Sequence, residues 1–157
     1  SGAIGVAVAK ALPEVRVDFA EIDPHLLPTI KKNCQVNDLH SERYHITQSN
    51  LFSNISDKYD LILTNPPYID PALDRAETAV KNFEPHRALY GGHEGMEIIT
   101  RTIAEAPQYL CLRGQLWIEH EPEQTKAITT LAAQHGFRAT THNDQFGVER
   151  YSILVLE

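Results

Sequence analysis

Apolar positions recur along the chain in two rhythms, one of three to four residues and one of two, and the rhythms alternate. Gly2 to Leu12 carries Ile4, Val8 and Leu12 at helical spacing, which predicts a helix with those residues inward. Val15 to Ile22 alternates as a strand does. Pro24 then suits the first turn of a second helix running to about Asn37. Arg43 to Gln48 reads as a short strand followed by the loop Ser49-Asn50-Leu51-Phe52. Tyr59 to Thr64 is nearly all apolar, as a buried parallel strand would be. Pro71 to Gly95 is poor in apolar periodicity and reads as a long loop, of the kind that is a lid or binding element, or disordered. Glu94 to Leu110 resumes as a helix with Ile99, Ile103, Ala106 and Leu110 on one side, and Gly114 interrupts the chain before the strand Gln115 to Glu119. Pro122 opens another helix, lined inward by Ile128, Leu131, Ala132 and His135 and stopped by Gly136. Two strands close the chain, Arg138 to Asn143 and Arg150 to Leu156, with a turn near Gly147. Alternating strands and helices imply an α/β fold, a mostly parallel sheet with helices on both faces. The terminal hairpin makes the last strand antiparallel.

The apolar run Tyr59 to Thr64 leads directly into Asn65-Pro66-Pro67-Tyr68. That order puts a stiff polar loop at the carboxyl edge of a sheet, where open α/β sheets bind ligands. The Asn65 carboxamide oxygen and the Pro66 carbonyl are two acceptors, enough for both N–H bonds of one NH2 group. Proline has no N–H and fixes φ, so the loop is prearranged as an acceptor surface. Pro67 extends that stiffness, and Tyr68 offers a flat face to an amide or a base. An amide or exocyclic amine is a poor nucleophile because its lone pair is delocalised. Holding both hydrogens aims that lone pair, which is catalysis by orientation.

Composition narrows the setting. The 157 residues, 42% hydrophobic and 22% charged, suit one soluble globular domain. No apolar run reaches the ~20 residues that span a bilayer. No export leader opens the chain, so a cytoplasmic setting is expected. Cys34 and Cys111 are too few for a disulfide framework or a zinc site, and packing roles are expected for both. The net charge of −7, from 14 Lys+Arg against 21 Asp+Glu, weighs against tight nonspecific nucleic-acid binding. Eight histidines show no metal-motif spacing, so no metal is expected. His120, in Glu119-His120-Glu121 after a strand, is placed either to face the site or to serve as a satisfied structural residue, and is assigned no role.

Upstream lies a set of residues suited to a nucleoside. Ser1-Gly2-Ala3-Ile4-Gly5 precedes a helix, where a small glycine-containing loop lets backbone N–H groups approach a ligand. Glu21 ends the next strand 19 residues after Gly2, the spacing at which nucleoside-binding α/β folds place a carboxylate on ribose hydroxyls. Asp23 competes for that role but also reads as a helix cap before Pro24. Asn50 and Leu51, after the third strand, are placed to meet an adenine edge by side chain and backbone.

Together these segments resemble the class I S-adenosylmethionine-dependent methyltransferases over essentially the whole chain. Within them, several runs resemble the HemK/PrmC group, the N5-glutamine methyltransferases of peptide chain release factors. These are Ser1 to Gly5, Asn65-Pro66-Pro67-Tyr68-Ile69-Asp70, Phe83-Glu84-Pro85-His86-Arg87-Ala88-Leu89-Tyr90-Gly91-Gly92 with Gly95-Met96, and Glu119-His120. The Asn-Pro-Pro-Tyr box alone is shared with N6-adenine methyltransferases, whereas the run from Phe83 to Gly92 with Gly95-Met96 is more specific to the glutamine modifiers. The resemblance implies a Rossmann-like fold with S-adenosylmethionine as cofactor, held by Gly2, Glu21, Asn50, Leu51 and Asn65. It implies methyl transfer to a glutamine amide nitrogen gripped by Asn65 and Pro66, with Pro67 and Tyr68 forming the wall and Glu84 bordering the glutamine pocket.

The implied partner is a release factor, most simply met by a monomer. The alternatives are a ribosomal-protein glutamine methyltransferase, an N6-adenine methyltransferase of DNA or rRNA, and a catalytically inert cofactor-binding module. In segment 70–95, Asp70, Asp74, Glu77, Glu84 and Glu94 outnumber Arg75, Lys81 and Arg87, which argues against a nucleic-acid groove. Two departures stand out. The family's glycine loop begins with an acidic residue and more glycines after a first strand, so residues 1–157 read as a catalytic-domain fragment lacking that strand and the N-terminal substrate-binding domain. Asn50 stands where the family commonly has Asp.

Overall fold

The computed structural model of the chain describes residues 1–73 and 83–157, which form two compact units, Ser1–Asp57 and Lys58–Glu157. The first unit is a parallel strand pair, β1 (Val17–Glu21) and β2 (Tyr44–Gln48), with helices α1 (Ala3–Ala11) and α2 (Leu27–Val36). Its core joins Val6, Ala9, Phe19, Ile30, Cys34 and Leu39. The helix α1 turns a different face inward from the one that Ile4, Val8 and Leu12 suggest. Ile4 and Leu12 are exposed, while Val6 and Ala9 are buried. The reason is close approach: a Cβ on Gly5 would lie 2.9 Å from Val17 and would overlap Phe19, so the small-residue stripe is the one that fits β1. The guanidinium of Arg43 closes the end of α1, donating to the carbonyls of Ala9 at 3.0 Å, Leu12 at 2.9 Å and Val15 at 2.9 Å. Cys34 is fully buried and burial raises its thiol pKa, in keeping with a packing role. The second helix begins as a 3-10 turn at Pro24–Leu26, with Asp23 accepting from the His25 amide at 2.9 Å.

The second unit is a four-stranded sheet in the order β3 (Tyr59–Thr64), β4 (Leu110–Glu119), β6 (Glu149–Leu156), β5 (Phe137–Asn143). Strands β3 and β4 run parallel, and β6 is antiparallel to both β4 and β5. The terminal hairpin therefore delivers the antiparallel last strand that the sequence implies. Its turn is held by Asp144, whose carboxylate accepts from the amides of Val148 and Phe146, and by Gly147 at φ 79°.

Between β3 and β4 lie α3 (His86–Leu89) and α4 (Glu97–Glu105), and α5 (Thr125–Gln134) precedes β5. Ile99, Ile103, Ala106, Ile128 and Ala132 on α4, α5 and the turn after α4 are fully buried, as are Leu116, Ile118 and Leu154 on one face of the sheet. On the other face Trp117 and Tyr151 stack at 6.1 Å and Tyr151 and His142 at 5.3 Å, with Trp117 37% exposed. The strand β3, apolar enough for full burial, is only half-buried, with Leu61 exposed; among the described residues it pairs with β4 alone. Leu110 starts β4 instead of ending a helix. A bulge follows it: Tyr59 pairs with Leu110 but Leu61 with Gln115, and the extra residues turn through Arg113 at φ 63° and Gly114. Within the long segment after Pro71, the described residues hold α3 and a 3-10 turn at His93–Gly95. Asp74, Arg75, Glu77 and Lys81 lie outside the described residues.

Candidate active site

The strand β3 ends beside β4 with Thr64 opposite Ile118, so Asn65 leaves the sheet at its carboxyl edge, next to Glu119. Two prolines then prevent the ladder from continuing, since neither has an N–H to donate. Pro66 is buried, whereas Asn65 is exposed and its carboxamide has no hydrogen-bond partner among the described residues. The corner thus offers an uncommitted carboxamide oxygen beside the Pro66 carbonyl. Tyr68 is held at its far end: its hydroxyl donates to Glu119 Oε1 at 2.9 Å. Burial and the Glu119 charge push the phenol pKa well above its ordinary value, so Tyr68 stays neutral and a donor.

The glycine-rich run braces this corner from below. Ile69 bridges to Tyr90, donating to the Leu89 carbonyl at 3.0 Å and accepting from the Gly91 amide at 3.0 Å. A Cβ on Gly91 would overlap the Pro67 carbonyl oxygen, and one on Gly95 would overlap that of Tyr68, so only glycine allows this packing. Gln124 completes the brace, its Nε2 donating to the carbonyls of Tyr68 at 2.9 Å and Glu94 at 3.0 Å. A cavity of about 390 Å³ opens beside Tyr68 and Gln124, rimmed by Asp70, Glu94, Glu121 and Glu123. Glu84 is exposed just before α3, and no described contact brings it to Asn65.

His120 takes no part in this corner. It is fully buried, with Nδ1 2.9 Å from the Glu121 carbonyl and Nε2 2.8 Å from Ser152 Oγ, which lies 3.0 Å from Thr141 Oγ1. A carbonyl only accepts, so Nδ1 carries the proton, and in the neutral ring Nε2 accepts from Ser152. Burial lowers the His120 pKa, which favours this neutral form. Among the described residues no group of three His, Cys, Asp or Glu side chains could hold a metal ion.

In the first unit, Glu21 and Gln48 end β1 and β2 side by side, and the Ser49 amide donates to the Glu21 carbonyl at 2.9 Å. Glu21, Asn50 and Leu51 therefore share one carboxyl edge. One Glu21 oxygen accepts from the Asp23 amide at 3.0 Å and the other has no hydrogen-bond partner among the described residues. Leu51 sits at φ 52°, an uncommon conformation for a non-glycine residue, held by Ser49 Oγ donating to its carbonyl at 2.8 Å. Asn50 is exposed. Gly2 caps α1 at φ 72° with Phe19 and Ile30 packed against it.

Residues 1–93 match the family model of the methyltransferase small domain. The chain belongs to that family. The release factor glutamine methyltransferase of Rhodopirellula baltica is 39% identical over 155 residues, covering 96% of this chain and 52% of that protein. This methyltransferase domain spans about half the length of the curated relatives it matches, and their names agree with the HemK/PrmC resemblance. Its fold is that of class I methyltransferases. Ribosomal protein L11 methylase from Lactobacillus delbrueckii superposes with a TM-score of 0.69 at 16% identity, covering 98% of this chain and 63% of that one. Magnesium protoporphyrin IX methyltransferase from Synechocystis, solved with bound SAM, gives 0.60 at 14% identity, covering 99% of this chain and 65% of that one.

The pattern of the sequence assigns no role to two residues of this corner, Glu119 and Gln124. The available signal for Gln124 was Glu121-Pro-Glu-Gln124, the spacing of a capping box, which the structure contains.

Proposed function

We propose that this methyltransferase domain moves a methyl group from S-adenosylmethionine to the side-chain nitrogen N5 of a glutamine, the one in the GGQ motif of a peptide chain release factor. The observation that supports it is the corner at Asn65: an exposed carboxamide with no partner among the described residues, next to a proline carbonyl, on a loop packed against Gly91 and Gly95.

When bound, S-adenosylmethionine supplies an electrophilic methyl group. The chain's own residues bind and orient. Asn65 Oδ1 and the Pro66 carbonyl accept the two N–H bonds of the glutamine amide, which turns the nitrogen lone pair outward from the corner. Tyr68 packs on the amide plane, its ring tethered by Glu119. Orientation of this kind contributes up to several kcal/mol to a barrier. The alkylated nitrogen is acidic and releases its proton to water, so no side chain is assigned as general base.

The residues of the first unit fit the cofactor's nucleoside. The open oxygen of Glu21 suits the ribose diol, and Asn50 with the Leu51 backbone suits adenine, since Asn both donates and accepts. Gly2 lets the start of α1 approach the methionine moiety. Glu84 borders the glutamine pocket in this reading. Residues 1–157 act as the catalytic domain of a longer protein, which works as a monomer in the cytoplasm.

The acidic rim of the cavity beside Tyr68 favours a protein substrate over a phosphate backbone. The test is incubation of the full-length enzyme with release factor, ribosomal protein and nucleic acid in parallel, followed by mass spectrometry of the products. Methyl on the GGQ glutamine supports the proposal. Methyl on adenine or on a ribosomal-protein glutamine, with release factor untouched, replaces it.

A further inference from the structure

Gln124 lies in the turn between β4 and α5, 6% exposed, and its amide is fully committed. The nitrogen donates to the Tyr68 carbonyl at 2.9 Å and the Glu94 carbonyl at 3.0 Å, while the oxygen accepts from the Glu121 amide at 2.9 Å. Carbonyls only accept and a backbone N–H only donates, so one orientation of the amide satisfies all three partners. Those partners sit on three separate segments: the Asn65–Tyr68 corner, the glycine-rich turn at His93–Gly95, and the turn after β4. The glycine turn is shaped to admit the bond. Glu94 is held at φ 53°, and a Cβ on Gly95 would lie 2.6 Å from Gln124 Nε2.

We propose that Gln124 is a positioning residue for methyl transfer. Resting on the function proposed above, it fixes the Tyr68 carbonyl and so sets the attitude of the loop whose other end presents Asn65 and Pro66. Among the described residues the corner has two hydrogen-bonded fixed points beyond its own prolines and the Ile69–Tyr90 bridge: the Tyr68 hydroxyl on Glu119 and the Tyr68 carbonyl on Gln124. Removing the second lets the acceptor pair rotate away from the amide hydrogens, a loss felt in turnover more than in binding.

The experiment compares full-length wild type with Gln124→Met and Gln124→Glu, measuring kcat and KM on release factor, cofactor affinity by calorimetry and the thermal midpoint. Gln124→Met keeps side-chain length without the donors, and is expected to lower kcat roughly 10- to 100-fold while KM and cofactor Kd change less than about 3-fold. Gln124→Glu gives a signature that a merely structural role does not. As a carboxylate it faces two carbonyl oxygens, whereas its protonated form regains one donor, so its kcat relative to wild type rises as pH falls. Active wild type with Gln124→Met folded and within about 2-fold in kcat overturns the inference alone. A pH-independent ratio for Gln124→Glu overturns it too, and decides the matter if Gln124→Met does not fold. Wild type that leaves release factor unmethylated overturns the proposed function and this inference with it.

Discussion

The hydroxyl of Tyr68 donates to Glu119 Oε1 across 2.9 Å, joining the loop after β3 to the end of the neighbouring strand β4. The bond turns a half-buried ring into a fixed wall. Tyr68→Phe keeps the ring and removes the tether. It is expected to cost about 1–2 kcal/mol in denaturant unfolding and to lower kcat more than it raises KM. Wild-type stability and turnover in Tyr68→Phe would show that packing alone holds the ring.

Gly95→Ala should be more damaging than Gly136→Ala. Both glycines have positive φ, 69° and 78°, but a Cβ at Gly95 overlaps the Tyr68 carbonyl oxygen, while one at Gly136 comes no nearer than 4.0 Å to Leu156. The second change carries only the backbone strain, about 1 kcal/mol, and leaves turnover intact. The first adds displacement of the corner and reduces turnover as well as stability. Equal effects in thermal melts and kinetics would place the constraint elsewhere.

Glu21→Ala is expected to weaken cofactor binding about 10-fold or more by calorimetry, the loss of a charge-assisted hydrogen bond. Asp23→Ala should leave that affinity unchanged and instead lower stability by about 1 kcal/mol, because Asp23 caps the turn at His25. The opposite pairing of results would transfer the ribose role to Asp23.

The buried His120 makes stability depend on pH. Its pKa is lowered in the fold, so between that value and the ordinary value of about 6.5 the unfolded chain binds the extra proton. The contribution is complete above about pH 6.5 and erodes as pH falls from there toward the lowered folded value. Ser152→Ala removes the hydroxyl that serves both Nε2 and Thr141, at an expected cost of about 1–3 kcal/mol. Urea titrations between pH 5 and about 8 in wild type and in His120→Gln check the sign, since the variant should lose the slope.

Local pattern carried most of the architecture. The box Asn65 to Tyr68 leaves a strand end as the apolar run before it requires, and Glu21, Asn50 and Leu51 share an edge because β1 and β2 are parallel. Three features escaped because they depend on partners distant in sequence. The inner face of α1 was decided by the room Gly5 leaves for Phe19, not by its larger apolar side chains. The burial of β3 is only partial, its one strand neighbour among the described residues being β4. The ties of Tyr68 to Glu119 and Gln124 span 51 and 56 residues, and no periodicity announces them.

The most direct test is Asn65→Ala in the full-length enzyme, assayed for methyl incorporation into release factor alongside cofactor affinity. Asn65 is exposed and bonded to nothing described, so its loss should leave the fold and the cofactor Kd near wild type. Methylation should fall by at least about 100-fold, the scale of a lost orienting contact. Turnover within a few-fold of wild type would contradict the claim that this corner aims the amide nitrogen.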